Sequence, residues 1–182
     1  MSALLTMRTK ILLTGHPGCG KTTLIRMVIA QIPRPMSGFY TQELRSAGRR
    51  VGFELLTLDG QQSVLAHVDI RGCHRIGKYG VDTGILDELA VPTLYQGIEV
   101  NGLIVIDEIG PMEILSPNFR KAILDVFDST IPVLGTIVKR SIPFTDALKA
   151  RSNVELIHVQ LDNRDQLVQD LIARLSPGRM HT

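Results

Sequence analysis

The chain has 182 residues, of which 44% are apolar, and this length and composition favour one domain with a packed core. Its formal charge is only +2, and no run of Lys and Arg exceeds two residues, so we expect no nucleic-acid partner. No uninterrupted apolar run approaches the roughly 18 residues that a membrane span requires, so we expect no membrane partner.

The cysteines give no sign of a disulfide framework or a metal site. Cys19 and Cys73 form no C-x-x-C pair, and His74 next to Cys73 has no further cluster of metal ligands beside it in sequence. The segment 1–7 is too short for the apolar part of a signal peptide. We therefore expect a protein of the reducing cytoplasm.

The first predicted unit is a strand, a glycine-rich loop and a helix. The strand covers residues 9–14 and the helix residues 24–31. The loop between them matches G-x-x-x-x-G-K-[ST] and consists of Gly15, His16, Pro17, Gly18, Cys19, Gly20, Lys21, Thr22 and Thr23. In this phosphate-binding P-loop, backbone N–H groups and the helix N-terminus face the phosphates. Lys21 is predicted to reach the β- and γ-phosphates, and Thr22 to be a ligand of Mg²⁺.

An antiparallel insert is predicted after this unit, over about residues 37–68. Residues 38–45 and 50–58 have the pattern of two strands joined by a short turn, and residues 63–68 form a third. Asp82 or Thr83 then caps a helix through Leu89, and Pro92 either kinks that helix or begins a second one.

From Leu103 onward, predicted strands and helices alternate. Ser116 and Pro117 have the pattern of a helix N-terminus. The predicted strands cover 102–107, 132–138 and 154–159, and the predicted helices 117–127, 143–150 and 165–175, before a loose tail at about 176–182. This alternation predicts an α/β fold, a mostly parallel sheet with helices on both faces.

Asp107 and Glu108 follow a buried apolar strand, at the sheet edge where α/β proteins bind ligands. Two acids after a strand are often only a solvated turn, but the P-loop favours a functional interpretation. We expect Asp107 to hold Mg²⁺ and Glu108 to polarise an attacking water.

Further candidates are less sharply defined by the sequence. Glu113 is either a second acid of the site or one half of a structural ion pair. A cation is expected against the charge that develops during phosphoryl transfer. The candidates are Arg45, Arg75, Lys78, Lys139 and Arg140. Arg140 follows a predicted core strand, and we include it with Lys21, Glu108 and Glu113 among the predicted catalytic residues.

With these motifs assembled, the sequence resembles the THEP1-type nucleoside-triphosphatases, a P-loop family that includes the human cancer-related nucleoside-triphosphatase. Besides the P-loop, the shared segments are Gly38–Arg45 (GFYTQELR), Tyr79–Asp82 (YGVD) and Asp107–Glu113 (DEIGPME). Many members carry Lys where this chain has Pro111. If that Lys contacts phosphate in them, its role here is lost or passes to another cation.

The resemblance implies a compact P-loop fold related to RecA-like and AAA-type ATPase cores. It also implies Mg²⁺-dependent hydrolysis of ATP, GTP and other nucleoside triphosphates to the diphosphate. The implied nucleotide-lining residues are Gly15–Thr22 and the segment Leu103, Ile104, Val105, Ile106, Asp107, Glu108, Ile109 and Gly110.

Two other functions remain open at the level of sequence. A small-molecule or nucleotide kinase would share the P-loop and use the insert to bind a phosphoryl acceptor. A nucleotide-controlled switch or assembly protein would use turnover to serve a partner. The oligomeric state is not readable from the sequence, and a monomer is compatible with it.

Overall fold

One continuous mixed sheet organises the computed structural model, which describes residues 10–72 and 74–176. Its strands are β1 (Lys10–Thr14), β2 (Met36–Ser46), β3 (Arg49–Thr57), β4 (Gln62–His67), β5 (Arg75–Ile76), β6 (Tyr79–Val81), β7 (Leu103–Ile109), β8 (Val133–Ile137) and β9 (Val154–His158). Their order across the sheet is β5-β6-β4-β3-β2-β7-β8-β1-β9. The helices are α1 (Lys21–Ile29), α2 (Thr83–Ile85), α3 (Val91–Glu99), α4 (Pro117–Asp128), α5 (Pro143–Lys149) and α6 (Arg164–Leu175).

The sheet has a parallel half and an antiparallel half that share strand β2. Strands β2, β7, β8, β1 and β9 are parallel neighbours. Strands β3, β4, β6 and β5 continue the sheet with antiparallel pairs. Residues Met36–Tyr40 of β2 pair with β7, and Tyr40 lies opposite Asp107. The remaining residues of β2 therefore extend past the acidic end of β7.

Alternating side chains of the central strands pack into two hydrophobic cores, one on each face of the sheet. Leu12, Ile104 and Ile106 face the core that includes Leu94 of α3 and Phe119 of α4. Ile11, Leu13, Leu103 and Val105 face the second core, which receives Leu24, Ile25 and Val28 from α1 and Val168 and Leu171 from α6. Strands buried on both faces explain the continuous apolar runs of the sequence. The predicted α/β architecture is confirmed.

Two helix starts follow the predicted capping chemistry. The Asp82 side chain accepts a hydrogen bond from the Gly84 N–H, and Ser116 Oγ accepts one from the Phe119 N–H. Pro92 lies in the first turn of α3, as the second of the two predicted alternatives has it, although the π-helical turn Leu86–Ala90 connects α2 to α3 without a break. The longest helices in the described ranges have 12 residues, so none of them could cross a bilayer.

The antiparallel region differs from the predicted insert at both ends. Its first strand is also a core strand, since β2 begins at Met36 and pairs with β7. Its last strands are β5 and β6, so it reaches Val81 rather than residue 68. Strands of two and three residues are too short to show an alternating pattern. The single domain over 1–182 stays a prediction, and most of the predicted tail, 177–182, lies outside the described residues.

Candidate active site

The loop from Gly15 to Gly20 joins the end of β1 to the start of α1. Gly18 and Gly20 have φ values of 79° and 91°, a left-handed backbone that favours glycine, and Gly20 is the N-cap of α1. The Lys21 ammonium donates hydrogen bonds to the carbonyl oxygens of Gly15 and His16, each at 3.2 Å. The loop thus wraps around the Lys21 ammonium, and the N-terminus of α1 is directed at the space that the loop encloses.

Asp107 lies at the carboxyl end of β7 and is only 3% exposed. Its Oδ1 accepts a hydrogen bond from the Thr136 hydroxyl at 2.5 Å, whereas Oδ2 is buried with no hydrogen-bond partner in the described part of the chain. Burial raises the pKa of Asp107, and Thr136, Thr22 and the charge of Lys21 oppose that rise. A buried carboxylate oxygen without a partner costs free energy, which a bound cation would offset.

This geometry fits the predicted Mg²⁺ site. The Thr22 hydroxyl lies close enough to Asp107 to lower its pKa, so both expected ligands face one position. Carboxylate and hydroxyl oxygens are the hard donors that Mg²⁺ prefers. No group of three or more His, Cys, Asp and Glu suited to a metal occurs among residues 10–72 and 74–176. Cys73, the neighbour of His74, lies outside those residues.

Glu108 and Glu113 place two more carboxyl groups beside Asp107. Burial and the charge of Asp107 raise the pKa of Glu108. Glu113 is 6% exposed, and burial together with the charge of Glu108 raises its pKa to about 8. The Gly110 N–H donates a hydrogen bond to Glu113 Oε2 at 3.1 Å. Among the described residues, Glu113 forms no ion pair, so the structure does not support the alternative of a structural ion pair.

Gly110 lies between these two glutamates. A Cβ atom at Gly110 would lie 2.9 Å from Glu113 Oε2 and 3.4 Å from Glu108 Cδ. Both carboxyl groups therefore approach one backbone position, which explains why the charge of Glu108 raises the pKa of Glu113. The three acids form one coupled set at the end of β7.

Two clefts meet at Glu108. The first cleft, of about 480 Å³, lies between the P-loop and the β2–β3 hairpin, and it contains Thr22, Thr23, Asp107 and Glu108. The second cleft, of about 580 Å³, lies on the β8 side and is lined by residues that include Gly15, His16, Val138, Lys139 and Arg140. Pro17, Lys21 and Glu108 line both clefts. Lys21 and Glu108 therefore stand at the boundary between them.

The structure brings all nine predicted P-loop residues, from Gly15 to Thr23, to the wall of at least one cleft. Cys19 lines a third cleft with Val159 and Leu161. The segment Leu103–Gly110 behaves differently. Among its side chains only Asp107 and Glu108 line the first two clefts, because Leu103, Ile104, Val105, Ile106 and Ile109 are fully buried in the two cores. The expectation that this whole segment lines the nucleotide is corrected accordingly.

The candidate cations separate into different environments. Lys139 Nζ lies 3.1 Å from His16 Nε2, and Arg140 lines the second cleft beside it. Arg45, Arg75 and Lys78 line none of the clefts described above. Pro111 lies with Arg140 along a neighbouring groove, which also contains Ile114, Leu115 and Ile142.

One wall of the first cleft was missed by the sequence interpretation. The hairpin contributes Thr41, Gln42, Glu43, Arg50 and Phe53 to that wall. The available signal is the alternation of charged and apolar residues in two adjacent strands, which by itself indicates an antiparallel insert and not which of its side chains line a cleft. Glu43 belongs to the GFYTQELR segment, but Arg50 lies outside every motif.

Comparison with known proteins of similar sequence and fold identifies the family. The profile of a family described as NTPase matches residues 10–172. The chain belongs to this NTPase family.

Relatives of the NTPase family match the chain over most of its length. The nucleoside-triphosphatase THEP1 of Thermotoga sp. (strain RQ2) is 41% identical over 170 residues, which cover 93% of this chain and 97% of the relative. The human cancer-related nucleoside-triphosphatase is 34% identical over an alignment of 194 residues, which covers 95% of this chain and 100% of the relative.

Solved structures give the same result for the fold. The crystal structure of THEP1 from the hyperthermophile Aquifex aeolicus aligns with a TM-score of 0.85 at 31% identity, covering 92% of this chain and 99% of that one. The solution structure of a human cancer-related nucleoside triphosphatase aligns with a TM-score of 0.78 at 32% identity, covering 93% and 98%. The predicted resemblance and the P-loop fold are both confirmed, and the family is one of hydrolases.

Proposed function

We propose that this NTPase-family protein hydrolyses nucleoside 5′-triphosphates, including ATP and GTP, to diphosphate and phosphate with Mg²⁺. The observation that carries the proposal is the position of Glu108. Its carboxyl group lies at the boundary of two clefts, next to the phosphate-binding Lys21 and the expected Mg²⁺ ligand Asp107. A base in that position can act on a water that approaches the terminal phosphate.

Thr22 and Asp107 are the residues that would hold Mg²⁺. Oδ2 of Asp107 supports this assignment, because none of the described residues forms a hydrogen bond with it. When bound there, the ion would neutralise part of the negative charge of the triphosphate. The P-loop N–H groups and Lys21 hold those phosphates from the other side.

The proposed reaction is attack of water on the γ-phosphorus. The water oxygen forms a bond to phosphorus, and the bond from phosphorus to the β–γ bridging oxygen breaks with its electron pair left on the diphosphate. The Glu108 carboxylate accepts the proton of the water. Burial raises the pKa of Glu108 toward the working pH, which is the direction that favours a general base.

Glu113 and Arg140 have supporting roles in this proposal. With a pKa of about 8, Glu113 carries its proton at neutral pH, so Glu108 does not face a second full negative charge there. Arg140 lines the second cleft with Glu108 and Lys21, and we propose it as a cation on the side of the attacking water. Base choice is not encoded by any N-K-x-D segment, which fits use of several nucleoside triphosphates.

The test is phosphate release from a panel of nucleoside triphosphates by the wild type and by Glu108→Gln, with Mg²⁺ present. We expect the substitution to lower kcat about 10²–10⁴-fold while nucleotide binding persists. Glu99→Gln, at an exposed position on α3, is the matched control and should keep full activity.

A parallel arm offers nucleosides, nucleotides and cofactor precursors as phosphoryl acceptors. Phosphate release without any phosphorylated acceptor supports the hydrolase. Binding of nucleotide without release of phosphate, or transfer to an acceptor in its place, would overturn the proposal and favour the kinase.

A further inference from the structure

Arg50 is a cation of the first cleft that none of the sequence motifs includes. It lies on β3, on the hairpin wall of the cleft that also contains Lys21, Thr22 and Asp107. Tyr40 of β2 pairs with Asp107, so the hairpin continues beyond the acidic end of β7 and forms the wall across from the P-loop. Arg50 and Lys21 therefore approach the expected phosphate position from different walls.

The Arg50 guanidinium is held in place by three neighbours. Its Nε donates a hydrogen bond to the Tyr79 hydroxyl at 3.0 Å, and its Nη1 donates one to Glu43 Oε1 at 2.7 Å. The guanidinium also lies over the ring of Phe53, 5.1 Å from its centroid. These contacts fix the plane of the fork before any ligand is bound, so little side-chain freedom remains to be lost on binding.

One arm of the fork is left for a ligand. Within residues 10–72 and 74–176, no group accepts a hydrogen bond from Nη2 of Arg50. The Arg50 side chain lines the cleft and retains 44% exposure, so the residue is accessible to a ligand there. A planar arginine fork presents parallel N–H groups that match phosphate oxygens.

The charge of the surrounding cluster also favours an anion. Glu43 pairs with both Arg45 and Arg50, so these three side chains keep a net charge of +1. Tyr79 and Glu43 raise the pKa of Arg50 further above its ordinary value. Arg50 therefore stays charged while one carboxylate orients it without cancelling the local positive charge.

We propose that Arg50 contacts the terminal phosphate of the bound nucleoside triphosphate and serves as a catalytic residue on the hairpin wall of the cleft. Glu43 is its positioning residue. The inference rests on the proposed function for the identity of the nucleotide, but it concerns a different wall and a different residue. Arg45 is a weaker candidate, because it is 59% exposed and does not line the cleft.

The first measurement is equilibrium binding of a non-hydrolysable triphosphate analogue and of the matching diphosphate, with Mg²⁺, to Arg50→Gln. We expect about tenfold weaker binding of the triphosphate analogue, because a charged hydrogen bond to the terminal phosphate is lost. Binding of the diphosphate should stay within twofold of wild type. Arg49→Gln removes the same charge from the neighbouring exposed position, which does not line the first cleft, and should change neither affinity.

The second measurement is turnover. Arg50→Gln is expected to lower kcat by about 10²–10³-fold, as loss of one preorganised donor to a developing charge does. Arg50→Lys keeps the charge without the fork, and Glu43→Gln keeps the arginine without its orienting carboxylate. Both should lose part of the preference for triphosphate over diphosphate, and they keep the test valid if Arg50→Gln fails to fold.

The outcomes separate the two proposals. If wild type releases no phosphate but Arg50→Gln loses its triphosphate preference, the hydrolase proposal fails and the contact of Arg50 is supported. If wild type is an active hydrolase and the Arg50 variants behave like Arg49→Gln, the contact is overturned. An equal loss of triphosphate and diphosphate binding also overturns it, because the terminal phosphate is then not what Arg50 contacts.

Discussion

The two walls of the first cleft use carboxyl groups in opposite ways. On the β7 wall, burial raises the pKa values of Asp107 and Glu108, and it also raises that of Glu113, which lies next to Glu108. On the hairpin wall, Glu43 is 37% exposed, and the hydrogen bond from Arg50 lowers its pKa. The first wall is therefore suited to accept or hold protons near neutral pH. The second wall keeps fixed charges and is suited to orient a cation.

The contrast between the walls can be tested most strongly at Glu113, through the pH dependence of stability. The folded chain keeps the Glu113 proton up to about pH 8, whereas an unfolded glutamate releases it near pH 4.5. Between these values the unfolded state binds fewer protons, so the free energy of unfolding falls as pH rises. One such group contributes a slope of at most about 1.4 kcal/mol per pH unit.

Glu113→Gln should reduce this slope, because glutamine carries no titrating proton and can still accept the Gly110 hydrogen bond. The slope should not vanish, since the pKa values of Asp107 and Glu108 are also raised. Denaturant unfolding of wild type, Glu113→Gln and the control Glu99→Gln between pH 5 and about pH 8 measures it. Identical slopes in all three proteins would show that Glu113 is not buried as a protonated acid.

A smaller effect is expected where the hairpin joins the parallel half. Gly38 has a φ of 125°, and a Cβ atom there would overlap the carbonyl oxygen of Val105 in β7. Gly48, in the hairpin turn, has a φ of 75° but open space around it. Both alanine variants strain the backbone, but Gly38→Ala also forces β2 away from β7. We expect Gly38→Ala to lower the free energy of unfolding by about 1–3 kcal/mol more than Gly48→Ala does.

Denaturant midpoints of the two glycine variants measure this difference. Equal losses in the free energy of unfolding would mean that β2 can move away from β7 at Gly38 without further loss of stability. In that case, the hairpin wall would not be rigidly tied to the strand that carries Asp107.

The smallest effect is expected for the stability of the hairpin wall itself. Glu43→Gln removes a carboxylate with a lowered pKa, whose stabilisation is present above the ordinary value of 4.5 and lost as pH falls. Since the pair is exposed, we expect a loss below about 1 kcal/mol at neutral pH, decreasing further in high salt. Denaturant unfolding of wild type and Glu43→Gln at low and high ionic strength measures this loss. A loss of several kcal/mol would show that the hairpin is part of the stabilising core.

The difference between the walls also explains what sequence could predict. Strand ends and a phosphate-binding loop leave local patterns, so the P-loop, the proposed Mg²⁺ ligands and the proposed base Glu108 can all be nominated from neighbouring residues alone. Arg50 could not be found, because a charged residue in a half-exposed strand has the same local pattern whether it faces solvent or a cleft. Its partners, Glu43 and Tyr79, become neighbours only through the pairing of four strands.

The secondary structure shows the same division. The helices and strands after Leu103 were predicted within a few residues, because each buries a continuous or periodic apolar pattern. The strands β5 and β6 were missed because strands of two and three residues are too short to show alternation of apolar and polar side chains. The double use of β2 was also missed. Its parallel partner β7 lies more than sixty residues further along the chain, so no local signal reveals that pairing.

The pairing of Tyr40 with Asp107 limits how this cleft can change in evolution. Side chains alternate between the two faces of a strand, so one inserted residue between Tyr40 and Glu43 would turn every later side chain of β2 to the opposite face. Two inserted residues would restore the faces and lengthen the wall by about 7 Å. The reach of the hairpin can therefore be adjusted in steps of two residues, while the buried acids of β7 stay where they are.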